Sequence, residues 1–231
     1  MPPGCYGIAR TARGVQLRAN GQGKGGFSLL VDLIVFDGVD ELDVIGPLEV
    51  FRRAAAVGAE VSVRICSREH VEWVSGAFGV NFKPDTTFVP GAADVVVVPG
   101  GGWVAKDEIG AWAEVKRGEW LPLLAEAARD GSVMAGVCTG AMLLAHAGVI
   151  GSRRATTHHD AQGDLALLGA VVMAERVVDE GNVVTSAGVT SGIDLGLWLV
   201  SRYLGESVAE VVADGLEYPW TRLHGGAPSP A

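Results

Sequence analysis

The sequence predicts one α/β domain: a doubly wound, mostly parallel sheet with helices on both faces. Three observations carry that prediction. Short runs of β-branched and aliphatic residues alternate with segments of helical period, no internal repeat runs through the chain, and the strongest apolar run, ADVVVVPGGG, stops abruptly in proline and glycine. A chain of 231 residues with 48% hydrophobic and 19% charged residues can bury one good core, and its 33 glycines suit close packing of helices on a sheet.

The elements follow in order. LLVDLIVF, from Leu29, reads as a buried strand closed by the polar turn DGVDE, and Pro47 stands where a helix could begin, with Leu48, Phe51 and Ala55 spaced i, i+3, i+7 before Gly58. VSVRICS (61–67) is a second strand, and EWVSGAFGVNFKPDTTF breaks into short antiparallel pieces at its Gly and Pro turns. The four valines of ADVVVV form a central strand covered on both faces. Residues 119–130 read as a helix, and SVMAGV (132–137) is a buried strand running directly into the helical stretch CTGAMLLAHAG. ATT (155–157) and NVVTSAG (182–188) are short strands, and SGIDLGLWLVSRYLG is a helix whose Ser191 and Asp194 have capping-box spacing. In such sheets ligands bind at the carboxyl ends of strands, where both PGGG (99–102) and Cys138 fall.

Composition limits the partners. A formal net charge of −9 disfavours nucleic acid and anionic lipid, which need clustered Lys and Arg, and leaves a small molecule as the expected partner. No apolar run reaches the roughly 20 residues that cross a bilayer. Three cysteines, Cys5, Cys66 and Cys138, lack metal or disulfide spacing, so neither a disulfide framework nor a metal site is expected, and a reducing cytoplasm is the expected compartment. Residues 1–28 carry Arg10, Arg13, Arg18 and Lys24 without an Asp or Glu and read as a disordered extension, because no apolar core of a targeting peptide is present. The domain is expected over 29–218, with 219–231 as a tail.

Chemistry concentrates at AGVCTGA (135–141), where a cysteine lies between a valine-rich strand and a helix, framed by Gly136 and Gly140. That is the layout of a nucleophile elbow: the sharp turn pushes the sulfur out of the sheet edge, and the helix N-terminus favours a thiolate. A thiol pKa below its free value of about 8.5 is expected, with Cys138 alkylated faster than Cys66. PGGG is neither a P-loop nor a dinucleotide fingerprint. Its backbone N–H groups suit an oxyanion hole, with Gly101 and Thr139 as the donors.

The segments FDGVDELDVIGPLEVF (36–51), VVVPGGG (96–102), VCTGAMLLAHAGVI (137–150), RATTHHD (154–160) and VVTSAGVTSGIDLGLWLV (183–200) together resemble the ThiJ/PfpI superfamily, relatives of class I glutamine amidotransferases with a flavodoxin-like sandwich. The nearest likeness is to the isonitrile-hydratase-like branch, and also to the ligand domain of certain AraC-type regulators, whose DNA-binding domain has no counterpart after Gly205. The resemblance places an acid, here Asp43, against the cysteine sulfur as acid/base, while Asp40, Glu41 and Glu49 read as solvated carboxylates. A histidine follows the cysteine in peptidase-like members; Thr139 stands there instead, which argues against proteolysis. His158 matches a family histidine near the pocket, where a catalytic and a structural role are equally open; His146 reads as structural, and Trp103 is the one candidate for a substrate-binding wall. The resemblance implies a cofactor-free homodimer that hydrates isonitriles. A glyoxalase or deglycase acting on small dicarbonyls, or a cysteine redox sensor, are the alternatives.

Overall fold

The computed structural model describes residues 28–220; the expected N-terminal extension up to residue 27, Cys5, and the tail from residue 221 lie outside the described residues. In chain order the elements are β1 (Leu29–Ile34), α1 (Glu41–Ala56), β2 (Val61–Ser67), β3 (Val74–Ser75), β4 (Asn81–Phe82), β5 (Thr86–Thr87), β6 (Val95–Val98), α2 (Ala111–Arg117), α3 (Trp120–Arg129), β7 (Val133–Val137), α4 (Gly140–His146), β8 (Arg154–Ala155), α5 (Gln162–Leu167), β9 (Val171–Val172), β10 (Val177–Asp179), β11 (Val183–Ser186), α6 (Ser191–Leu204) and α7 (Glu206–Gly215). Seven strands form the main sheet in the order β10-β11-β7-β6-β1-β2-β5. All its pairings are parallel except β10 with β11. The predicted fold class is the one observed.

Strand order reverses beside β1: the chain moves outward through β2 and β5, then returns to lay β6 and β7 on the other side. That switch opens a crevice at the carboxyl ends of β1, β6 and β7. Val95, Val96, Val97 and Val98 are all fully buried, and at about 1.5–3 kcal/mol per buried side chain they anchor β6 as the sheet's centre. Asp32 interrupts the apolar run of β1 without breaking it, because its register partner Arg64 donates to it through Nε and Nη2 at 2.8 and 2.9 Å.

Three expectations need correction. α1 begins at Glu41, not at Pro47: the Asp40 side chain caps it by accepting from Leu42 N–H at 3.1 Å, and Pro47 lies inside. Proline offers no N–H to the Asp43 carbonyl, yet the helix continues because α6 packs tightly there. A Cβ on Gly192 would sit 3.1 Å from Pro47 Cδ, and one on Gly196 2.9 Å from Val50 Cβ. The capping box at Ser191 and Asp194 does not form; Thr190 is the N-cap without a side-chain bond, and Asp194 accepts from Arg176 and Tyr218 instead. The ATT strand contributes only β8, paired with β9 in a separate two-stranded sheet. No helix among the described residues is long and apolar enough to cross a membrane.

Candidate active site

Loops after β1, β6 and β7 meet in the crevice. Cys138 occupies the turn between β7 and α4 with φ of 53°, a left-handed conformation that side chains larger than glycine rarely adopt. The turn is pinned on both sides. Cys138 N–H donates to the Ser186 and Ala187 carbonyls at 3.2 and 3.0 Å, and Thr157 Oγ1 donates to the Cys138 carbonyl at 2.8 Å. The glycine frame follows from crowding, since a Cβ on Gly140 would lie 1.9 Å from the Val98 carbonyl oxygen. Gly140→Ala should therefore cost about 1–3 kcal/mol, as overpacking does; a wild-type midpoint in denaturant unfolding would contradict an elbow this tight.

Asp43 projects from the first turn of α1 and is fully buried. Its Oδ2 accepts from Gly100 N–H at 2.9 Å, its Oδ1 has no protein partner, and the carboxyl interacts with the Cys138 thiol. Burial, and then the charge of Asp40, push its pKa well above the ordinary carboxylate range, against weaker pulls from Gly100 N–H and the thiol. The Cys138 thiol is also pushed up, by burial first and then by Asp43; the N–H groups of Val189 and Thr139, both directed at the sulfur, oppose this. The expected low thiol pKa is thus corrected: Cys138 is only 5% exposed, and desolvation beside a carboxyl outweighs what a seven-residue helix supplies. Two adjacent negative charges are excluded in so dry a place, so the pair keeps at least one proton near neutral pH.

Two N–H groups of the glycine loop are already taken. Gly100 N–H goes to Asp43, and Gly101 N–H, expected in an oxyanion hole, donates to Thr139 Oγ1 at 3.0 Å. The two segments approach so closely that a Cβ on Gly100 would fall 2.3 Å from Thr139 Oγ1. Thr139 N–H, expected in the oxyanion hole, is turned to the sulfur, and its hydroxyl accepts from Gly101 with its own proton still available to donate. The second donor on the sulfur is Val189, which sequence reasoning missed. Its contribution is a backbone N–H, and nothing in the identity of a valine signals it.

His158 lies at the rim, not on the sulfur. Its Nδ1 accepts from Asp160 N–H at 3.3 Å, its ring stacks on His159 with centroids 4.3 Å apart, and its edge packs on Gly188. His158, His159 and Asp160 are the one group among the described residues with donor atoms close enough to share a metal ion, and two of the three are exposed. Trp103 is no open wall: it is buried, its Nε1 donates to Asp164 at 2.8 Å, and it meets Trp112 edge-on at 5.1 Å. His146 Nδ1 bonds the Met142 carbonyl at 2.9 Å, a structural place as expected. Of the carboxylates read as solvated, Glu49 is, paired with Arg53 on the surface. Glu41 is buried, with Oε1 accepting from Phe78 and Val80 N–H, and Asp40 is half-buried beside Asp43. A separate cavity of about 320 Å³, lined by Phe36, Glu69, Trp73 and Arg117 among others, contains neither Cys138 nor Asp43.

A family model described as DJ-1/PfpI family matches residues 30–202. The chain belongs to the DJ-1/PfpI family. An isonitrile hydratase from Pseudomonas putida is 33% identical over 209 residues, covering 88% of this chain and 85% of that protein. Among solved structures, a ThiJ/PfpI family protein from Pseudomonas syringae is similar with a TM-score of 0.73 and 26% identity, covering 87% of this chain and 79% of that one. Drosophila melanogaster DJ-1beta follows at 0.71 and 25%, covering 84% and 100%. Within the DJ-1/PfpI match lie Asp43, PGGG, Cys138 and His158, and Val189 with them.

Proposed function

We propose that this DJ-1/PfpI protein hydrates isonitriles to N-substituted formamides, with Cys138 as nucleophile and Asp43 as acid/base. The observation that carries the reading is a buried carboxyl, Asp43, set against the Cys138 sulfur, with Thr139 where a histidine would make a peptidase-like pair. The similarity to an isonitrile hydratase supports it. In the reactive tautomer the proton sits on Asp43 and the sulfur is a thiolate. Sulfur bonds the terminal isonitrile carbon while that carbon takes the Asp43 proton, giving a thioimidate, R–N=CH–S–Cys138, and a carboxylate. Asp43 then draws a proton from water as it adds to the same carbon and hands it to nitrogen. As the C–S bond breaks, Asp43 takes the hydroxyl proton, and R–NH–CHO leaves beside a regenerated thiolate. The N–H groups of Thr139 and Val189 hold the sulfur's negative charge at the start and end of the cycle.

The test is an assay of purified protein against a panel of isonitriles and methylglyoxal. Formamide production from at least one isonitrile is expected; turnover of methylglyoxal with every isonitrile untouched refutes the hydratase and promotes the dicarbonyl reading. A redox sensor is less well supported, since Cys138 is buried and its thiol pushed up. Among the described residues Cys66 and Cys138 are free thiols; a cytoplasmic location is proposed with this reading. A homodimer is also proposed, because the crevice opens where a second copy can close it and Leu42 and Ile45 of α1 are exposed nearby. Sedimentation should show a dimer at micromolar concentration, and a monomer alone overturns this.

A further inference from the structure

We infer that Arg176 is a positioning residue that holds the Ala187–Thr190 segment and so aims the Val189 N–H at the Cys138 sulfur. The segment needs holding. Val189 has a φ of 28°, positive and therefore unfavourable for a β-branched side chain, and such a conformation persists only where its surroundings over-determine it. Arg176 grips it from both ends. Its backbone carbonyl accepts Ala187 N–H at 2.9 Å, and the Ala187 carbonyl in turn accepts Cys138 N–H at 3.0 Å. Its guanidinium Nη2 donates to Thr190 Oγ1 at 3.1 Å, one residue past Val189. The guanidinium is itself fixed: Nε donates to Asp194 Oδ2 at 2.9 Å, and Tyr218 Oη donates to the same oxygen at 2.8 Å. Asp194 is buried in α6 and gives the guanidinium a fixed partner, although the Arg176 side chain itself is partly exposed.

Arg176 touches neither the sulfur nor Asp43 among the described hydrogen bonds, so it acts only through the segment. The consequence is chemical. With Val189 N–H displaced, the thiolate loses one of its two backbone donors and its pKa rises further, because those donors are what oppose burial and Asp43. Tyr218 gains a role by the same argument, as the residue that completes the anchor.

This rests on the proposed chemistry only for its kinetic readout, so the test pairs turnover with a substrate-independent one. Alkylation of Cys138 by iodoacetamide is followed at the peptide level across pH, with thermal unfolding alongside, in wild type, Thr190→Val, Arg176→Met and Arg176→Lys. Thr190→Val removes one hydroxyl contact and leaves the Arg176–Asp194 pair intact, so it stays informative even if Arg176→Met, which strands a buried carboxylate, does not fold. Expected are an alkylation profile shifted to higher pH and about a tenfold fall in kcat for Arg176→Met, with KM within about twofold. Thr190→Val should shift the same way by less, its melting temperature unchanged, and Arg176→Lys should recover part of the loss. A Thr190→Val alkylation profile that superimposes on wild type, together with an unshifted one for whichever Arg176 variant folds, overturns the assignment. A shifted profile in a protein that turns over no isonitrile upholds the positioning role while removing the hydratase.

Discussion

Cys138→Ala should abolish isonitrile turnover, a loss of roughly 10⁴–10⁶-fold in kcat, without unfolding the protein. Among the described residues the other thiol cannot take over: Cys66 is fully buried on β2 and is pushed up by burial and by Asp32. Alanine fills the same left-handed turn and removes only the sulfur, so the elbow's backbone bonds to Ser186, Ala187 and Thr157 remain. Wild-type enzyme quenched in acid during turnover should carry one isonitrile mass on the peptide containing Cys138, and the alanine variant none. Substantial formamide production by Cys138→Ala would refute covalent catalysis. Thr139→Val should do less, since it removes a hydroxyl but keeps the N–H on the sulfur.

Asp43→Asn is the second large effect, and it separates catalysis from stability. An amide keeps an acceptor for Gly100 N–H but cannot exchange protons, so kcat should fall about 10²–10⁴-fold. Stability should move the other way. The folded protein holds this carboxyl's pKa above its unfolded value, so the native state binds the proton more tightly; the stabilisation is fully present below the unfolded pKa of about 3.9 and is lost as pH rises through the raised one. Asparagine has no such loss. Its melting temperature should equal or slightly trail wild type near pH 4 and exceed it increasingly toward neutrality. Melts from pH 4 to 8 showing a constant difference would mean that Asp43 does not titrate as a buried, raised carboxyl. In the wild type, activity should rise with pH as the pair loses its first proton and fall as it loses the second.

Much of this protein is legible in its residues. The strand at ADVVVV, the 61–67 strand and the passage from SVMAGV into a helix are strong local signals, because a continuous run of β-branched residues has few alternatives to a buried parallel strand. The elbow is legible for the same reason: a cysteine framed by glycines between such a strand and a helix leaves little choice of backbone. Elsewhere tertiary packing overrides the local rules. Pro47 marks a helix start in isolation, but α6 presses Gly192 and Gly196 against α1 and carries the helix through it. Ser191 and Asp194 have the spacing of a cap, but Arg176 and Tyr218 take the carboxylate.

The sequence by itself determined the α/β class, the strand ends as the place of the site, and Cys138 as its cysteine, while Asp43 as its acid followed only from the family resemblance. Only the tertiary structure decided their protonation, because desolvation is a property of everything packed around a group and no local pattern encodes it. It also decided which backbone N–H groups serve the sulfur. Gly101 is the obvious donor by composition, yet its N–H is held by Thr139 Oγ1, while Val189, unremarkable as a residue, is bent into a left-handed conformation that directs its own at the thiol. A hydrogen-bond donor belongs to whichever acceptor the fold brings within reach, and that assignment is made between segments far apart in the chain.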